Sequence, residues 1–125
     1  MNPEPGPALP LTIRQLWLAD FAELRQHLKR LDDEARHDRF GHAVSDEFVD
    51  TYVDTAHRLG TTIFGAYSDD VLRGVAELRS LPSVEAGTAE GALTVEPAVQ
   101  NRGIGKALMA RLVEAARNRG FPNLY

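Results

Sequence analysis

The sequence of 125 residues contains no cysteine, which excludes disulfides, thiolate metal sites and a cysteine nucleophile. It also lacks a basic excess, since 14 lysines and arginines stand against 18 aspartates and glutamates, and this argues against nonspecific binding to nucleic acid. No apolar run approaches the length of a membrane span. These absences fit a cytoplasmic protein without nucleic-acid or membrane partners. The four histidines show no metal-site spacing, so no metal is expected.

The composition suits one globular domain. Hydrophobic residues make up 43% of the chain and charged residues 26%, which is enough for a real core. Residues 1–10 contain four prolines and no basic stretch, so they are expected to form a flexible lead-in and not a signal peptide. Residues 11–125 are expected to form the domain.

The pattern of apolar residues predicts a mixed α/β sheet. Strands are predicted at residues 11–16, 61–67, 71–81, 89–95 and 121–125. Helices are predicted after an N-cap at Asp20, after an N-cap at Ser45, and at residues 103–119. Residues 32–41 are highly charged and are predicted as a helix end and loop, residues 68–70 as a turn, and residues 82–88 as a loop. The last strand is expected to lie parallel to the strand at 89–95 across the last helix.

Residues 95–107 combine a strand end, a proline, two glycines and a helix start. Gly103 and Gly105 let the backbone approach a ligand closely. The free N–H groups and the dipole of the helix start form an anion site that suits a pyrophosphate, and Arg102 and Lys106 can add positive charge. The glycine spacing fits neither the P-loop nor the dinucleotide fingerprint. The alternative is a plain strand-loop-helix unit whose glycines serve tight packing.

This segment resembles motif A of the GCN5-related N-acetyltransferase (GNAT) superfamily, commonly Q/R-x-x-G-x-G/A after a strand ending in V-x-P. The matching residues are Val95-Glu96-Pro97 and Gln100-Asn101-Arg102-Gly103-Ile104-Gly105. The resemblance implies a GNAT-like β-α-α-β-β-β-α-β fold with acetyl-CoA as cosubstrate. Its pantetheine arm would pair with the backbone of the strand end, and its pyrophosphate would bind the amides of the helix start. The implied cosubstrate-binding residues are Leu93, Thr94, Val95, Gln100, Asn101, Arg102, Gly103, Ile104, Gly105, Lys106 and Ala107.

The family reaction is direct transfer, in which an amine loses a proton and attacks the thioester. Residues 89–92 resemble the Ala-Glu-x-Ala opening of this strand in the bacterial protein-lysine acetyltransferase branch, which makes Glu90 the candidate base. An exposed strand carboxylate without a catalytic role is the equally open alternative. Glu77 is the second choice as base, but it is expected to be a solvent-facing charge on its strand, and Glu96 is expected to be a loop charge. His42 is expected on the surface, and Phe48 and Tyr52 are expected in the core. Arg39-Phe40 is a short match to an arginine-aromatic pair of the same branch.

The family normally continues past the position of Tyr125 with another helix and a hairpin, which carry a tyrosine proton donor and one wall of the acceptor pocket. The expectation is therefore a C-terminally truncated domain with an open edge that favours a homodimer. Its expected activity is transfer of acetyl from acetyl-CoA to an amine of a small molecule or protein. The alternative is a noncatalytic CoA-binding or interaction module with the same fold.

Overall fold

The computed structural model describes residues 11–56, 60–81, 87–99 and 103–125. Four α-helices and five β-strands lie within these ranges. In chain order they are β1 (Thr12–Gln15), α1 (Phe21–Arg30), α2 (Asp33–Phe40), α3 (Asp46–Ala56), β2 (Thr62–Ser68), β3 (Val71–Ser80), β4 (Thr88–Val95), α4 (Ile104–Asn118) and β5 (Asn123–Leu124). The predicted lead-in at 1–10 and most of the predicted loop at 82–88 lie outside the described residues.

The five strands form one sheet in sequence order. Neighbours from β1 to β4 are antiparallel, and β5 lies parallel to β4, which confirms the predicted mixed sheet. The predicted turn between β2 and β3 is confirmed, because Asp69 and Asp70 have φ of 52° and 62°. Two successive positive φ values are those of a type I′ hairpin turn.

A hydrophobic cluster covers each face of the sheet. Helices α1 and α3 supply Leu24, Leu28, Val49 and Val53 to one face. The predicted periodicity of α4 is confirmed on the other face, where its buried residues are Ile104, Leu108, Leu112 and Ala116. Adjacent strand residues can serve different clusters because strand side chains alternate between the two faces.

The predicted loop at residues 32–41 is wrong, because this segment contains α2. The N–H of Ala35 donates to the Asp32 carboxylate at 2.8 Å, and Gly41, with φ of 80°, ends the helix. The buried Arg36 donates from Nη2 to the carbonyl of Lys29 at 2.9 Å. Capping and a buried guanidinium therefore hold α2, and no apolar stripe marked it in the sequence.

One of the two predicted N-cap residues makes a capping hydrogen bond. The N–H of Phe48 donates to Ser45 Oγ at 3.1 Å, as expected at the start of α3. Asp20 occupies the N-cap position of α1, as predicted, but its side chain makes no capping hydrogen bond, and a 3₁₀ turn at Leu18–Asp20 runs directly into that helix. Its carboxylate instead accepts from the N–H of Trp17 at 2.9 Å and from Arg14 at 3.0 Å.

None of the helices within the described ranges is long and apolar enough to cross a membrane.

Candidate functional site

Strand β4 separates two pockets that lie on opposite faces of the sheet. The polar pocket, of about 260 Å³, is lined by Arg39, Phe40, Phe48, Tyr52, Thr61, Glu77, Arg79, Glu90 and Ala92. The apolar pocket, of about 340 Å³, is lined by Gly91, Leu93, Met109, Leu112, Leu124 and Tyr125. Successive residues of β4 contribute to different pockets because strand side chains alternate. Gly91, which has no side chain, lines the apolar pocket between two residues that line the polar one, Glu90 and Ala92.

Strand β4 also has an open edge beside the apolar pocket. The N–H of Gly91 donates to the carbonyl of Tyr125 at 2.8 Å, and the carbonyl of Ala89 accepts from the N–H of Tyr125 at 2.9 Å. The N–H and C=O groups of successive strand residues point to alternate sides of the strand, so those of Leu93 point to the same side as those of Gly91. Within the described ranges, no strand lies beside β4 there beyond Gly91. An extended ligand can add to such an edge as an extra strand.

The start of α4 has the geometry of an anion site. Gly103 is the N-cap with φ of 82°, a conformation that favours glycine, and the N–H of Ala107 makes a helical bond to its carbonyl at 3.1 Å. The N–H groups of the first turn have no intrahelical acceptors and meet the positive end of the helix dipole. The predicted residues Gln100, Asn101 and Arg102 lie outside the described residues.

Packing does not account for the two motif glycines. A Cβ added at Gly103 would meet nothing within 4 Å among the described atoms, and one added at Gly105 would lie 3.8 Å from Val95 Cγ2, an ordinary contact. By contrast, a Cβ at Gly91 would lie 2.6 Å from Leu112 Cδ2, so any side chain there would force Leu112 to shift. The tight-packing alternative therefore explains Gly91 but not the glycines of the motif.

Glu90 lies on β4 at the polar pocket with its side chain 40% exposed. Its carboxylate forms an ion pair with Arg79, whose Nη2 lies 3.4 Å from Glu90 Oε2. A half-exposed pair at this distance is weak. The carboxylate therefore remains accessible to a ligand in the pocket.

Glu77 was expected to face solvent, and this is wrong. It is only 3% exposed and binds Arg39, whose Nη2 donates to Glu77 Oε2 at 3.0 Å and to the Tyr52 hydroxyl at 2.7 Å. The Tyr52 hydroxyl also donates to Glu77. Burial and the charge of Glu77 raise the pKa of Tyr52, so its hydroxyl stays protonated. Glu77 is a structural anchor of the pocket floor.

We expect Glu77→Gln to lower the free energy of unfolding by about 3 kcal/mol, because it leaves the buried Arg39 guanidinium without its counter-charge. Urea unfolding at neutral pH measures this loss. Glu90→Gln is the matched control and should change stability by less than about 0.5 kcal/mol, since its ion pair is exposed. Equal losses in the two variants would contradict the anchoring role of Glu77.

The aromatic residues of α2 and α3 line the polar pocket and do not form a closed core. Phe48 was expected to be buried but is 37% exposed, with its ring centroid 5.3 Å from those of Phe40 and His42. Tyr52 is partly buried and packs against the core cluster, as expected, while its hydroxyl belongs to the Glu77 network. His42 is exposed, as expected.

Sequence reasoning also missed a buried polar cluster at the end of β4. Glu96, expected as a loop charge, is 4% exposed, and His27 is fully buried beside it. Burial opposes the charge of Glu96, but hydrogen bonds from His27, Arg30 and Arg73 outweigh it and lower the pKa of Glu96 to about 2. His27 occupies a core position in the helical pattern of α1, beside Leu24 and Leu28, and this position was the signal that could have revealed its burial.

In the part of the chain that the structure describes, no cluster of three or more histidine, aspartate or glutamate side chains could hold a metal ion.

The chain is similar to known acetyltransferases. One acetyltransferase of Pseudomonas aeruginosa is 30% identical over 117 residues, which are 90% of this chain and 63% of that protein. The GNAT domain of S. lividans PAT has a TM-score of 0.70 at 22% identity, covering 87% of this chain and 66% of that one. An acetyltransferase structure from Salmonella typhimurium, solved with its cofactor acetyl-CoA, has a TM-score of 0.63 at 25% identity, covering 88% and 65%.

The chain thus spans 63% of the length of the Pseudomonas protein, and the structural similarity at 22% identity shows a shared fold. The family model described as Acetyltransferase (GNAT) family matches residues 14–125, nearly the whole sequence. With this match and the strand-loop-helix geometry of the site, the chain belongs to the acetyltransferase (GNAT) family.

Proposed function

We propose that this protein binds acetyl-CoA and transfers its acetyl group to an amine by direct attack. The observation that carries the proposal is the placement of two pockets on the two faces of β4, one apolar and beside the open strand edge, the other polar and containing an accessible carboxylate. A thioester held on one side of the strand and an amine on the other would meet near Gly91. Family membership supports the same chemistry.

The cosubstrate is assigned to the edge of β4 and the start of α4. Its pantetheine arm would hydrogen-bond to the edge-facing backbone groups within residues 93–95 and cover the apolar pocket, as an added strand does. Its pyrophosphate would bind the residues at 100–107, where the helix start offers N–H groups and positive potential. The Salmonella structure with acetyl-CoA supports this choice of cosubstrate.

The amine is assigned to the polar pocket, with Glu90 as its base. The Glu90 carboxylate would accept a proton from the amine as the nitrogen attacks the thioester carbonyl, the new C–N bond forms and the C–S bond breaks. CoA then leaves as a thiolate. Glu90 suits this role better than Glu77, because Arg39 and Tyr52 already occupy both oxygens of Glu77.

A test of the function separates the enzyme from a noncatalytic CoA-binding module. Acetyl-CoA-dependent release of free thiol in the presence of a panel of small amines and lysine peptides demonstrates transfer. Titration with CoA, monitored through amide chemical shifts, demonstrates binding. The amide resonances of residues 101–107 should shift first. Binding without thiol release would favour the module, and shifts confined to the N-terminal half would contradict the site.

The open edge and the exposed side chains of Met109 and Tyr125 also support self-association as a proposal. We expect the sedimentation coefficient to rise with protein concentration. A compact monomer at high concentration, with slow amide exchange through residues 121–124, would contradict this expectation. A cytoplasmic location, without nucleic-acid or membrane partners, is likewise proposed from the composition.

A further inference from the structure

The polar pocket contains two pairs of opposite charges, one closed and one open. In the closed pair, Arg39 Nη2 donates to the buried Glu77 carboxylate at 3.0 Å, and the Tyr52 hydroxyl donates to the same carboxylate. In the open pair, Arg79 and Glu90 face each other across β3 and β4, with side chains 39% and 40% exposed. The closed pair belongs to the pocket floor, whereas the open pair presents a cation and an anion side by side to a ligand.

Most of the hydrogen-bonding capacity of the Arg79 side chain remains available. A guanidinium has five N–H donors in a fixed fork. Among the described residues, the Arg79 side chain donates to Glu90 alone, and its Nη2 lies 3.4 Å from Glu90 Oε2, a long distance for a hydrogen bond. Paired N–H groups of an arginine match the two oxygens of a carboxylate. Arg79 can therefore bind the carboxylate of a ligand while Glu90 contacts another group of the same molecule.

The short distance within the open pair limits which ligands can contact both charges. In the proposed reaction Glu90 receives the proton of the acceptor amine, so the amine lies beside Glu90. Since Arg79 Nη2 and Glu90 Oε2 are 3.4 Å apart, a carboxylate bound to Arg79 must be close to that amine. An amine and a carboxylate on the same carbon atom meet this condition. The ε-amine of a lysine within a protein does not, because no carboxylate adjoins it.

The remaining walls of the pocket favour a small apolar body on the acceptor. Phe40, Phe48 and Ala92 line the pocket, and Phe48 is 37% exposed. The volume of about 260 Å³ lies below the range of roughly 300–1,000 Å³ that is usual for pockets of drug-sized ligands. The pocket therefore suits one small molecule with an apolar side chain better than a long polyamine or a sugar.

We propose that the acceptor is a free α-amino acid with an apolar side chain, and that Arg79 selects it by binding its carboxylate. The amine loses a proton to Glu90 and forms the C–N bond with the acetyl carbonyl, while the C–S bond breaks with its electron pair on sulfur. The products are the N-acetyl amino acid and CoA thiolate. The sheet itself gains little from Arg79, since exposed ion pairs contribute little stability. This inference rests on the proposed acetyl transfer.

The test compares amino acids with their amides, which keep the amine and the side chain but replace the carboxylate by a neutral group. Acetyl-CoA-dependent thiol release with leucine, methionine and phenylalanine identifies the best acceptor, and kcat/KM is then measured for it and for its amide. Arg79→Gln should raise the KM for the amino acid at least about tenfold and lower the amino acid-to-amide ratio of kcat/KM by a similar factor. The two amines differ in intrinsic reactivity, but this difference cancels when the ratio is compared between variants.

Arg117→Gln is the matched control, because Arg117 is exposed on α4, and it should keep the wild-type ratio. If Arg79→Gln does not fold, Arg79→Lys, which keeps the charge but not the paired N–H groups, should lower the ratio about threefold. An unchanged ratio in the folded Arg79 variant would overturn the selecting role of Arg79. Turnover of lysine peptides without turnover of any of the three amino acids would overturn the substrate class. Both outcomes leave the proposed acetyl transfer intact, whereas no thiol release with any amine would refute it, and the inference with it.

Discussion

Replacement of Gly105 by glutamate should abolish the binding of CoA and acetyl-CoA, raising Kd at least about a hundredfold. The new carboxylate would lie in the first turn of α4, where the proposal places the pyrophosphate. Two like charges about 4 Å apart cost about 4 kcal/mol at an effective dielectric constant near 20, and each 1.4 kcal/mol is tenfold in Kd. Calorimetric titration of folded protein measures the loss.

Gly105→Ala is the matched control, because a Cβ at this position meets only Val95 Cγ2 at 3.8 Å. Its Kd should stay within about threefold of wild type, and its helix should gain up to about 1 kcal/mol in stability. Gly103→Glu should also abolish binding, but its φ of 82° adds backbone strain to the charge effect. Near-normal CoA affinity in Gly105→Glu would place the pyrophosphate elsewhere.

Removal of the Glu90 carboxylate should lower turnover without weakening the binding of the cosubstrate. Glu90→Gln keeps the size of the side chain but cannot accept a proton, and loss of a general base typically lowers kcat about a hundredfold or more. The Kd for CoA should stay within about twofold, because the side chain lines the polar pocket and not the apolar one. Steady-state kinetics at saturating acetyl-CoA, with an acceptor from the amine panel, measures kcat, and calorimetric titration measures the Kd for CoA.

Glu114→Gln provides the control for a lost carboxylate, since Glu114 is exposed on α4. It should leave kcat unchanged. Turnover of Glu90→Gln within a few-fold of wild type would assign the proton to water or to Glu77. Parallel loss of kcat and CoA affinity would indicate that Glu90 supports the fold of the site instead of accepting the proton.

The helices that the sequence predicted are those with an apolar stripe. In α4 the buried residues recur every four positions, and this spacing is visible without any knowledge of the neighbours. Helix α2 has no comparable stripe, because its one buried residue is Arg36, whose guanidinium donates to the carbonyls of Lys29 and Val44. Its signals were Asp32 at the N-cap and Gly41 after the C-terminus, which are short-range signals of the kind used successfully at Ser45.

The candidate site likewise has one part that the sequence could predict and one part that it could not. The motif around Gly103 depends on residues close together in sequence, so its strand, loop and helix could be predicted. The burial of Glu77 and Glu96 depends on partners far away in sequence, Arg39 and His27, which are 38 and 69 residues distant. A charged side chain is buried only when such a partner exists, and the local sequence contains no record of it.

Because successive side chains of β4 face different pockets, the proposed function depends on whether each residue holds an even or an odd position along the strand. Glu90 and Ala92 face the polar pocket while Gly91 and Leu93 face the apolar one. Insertion of one residue before Glu90 would turn its carboxylate toward α4 and bring a side chain against Leu112 where Gly91 now leaves room. Insertion of two residues would restore every orientation. Length changes in this strand are therefore constrained to even numbers, unless a bulge absorbs the extra residue, as the register shift between β2 and β3 does.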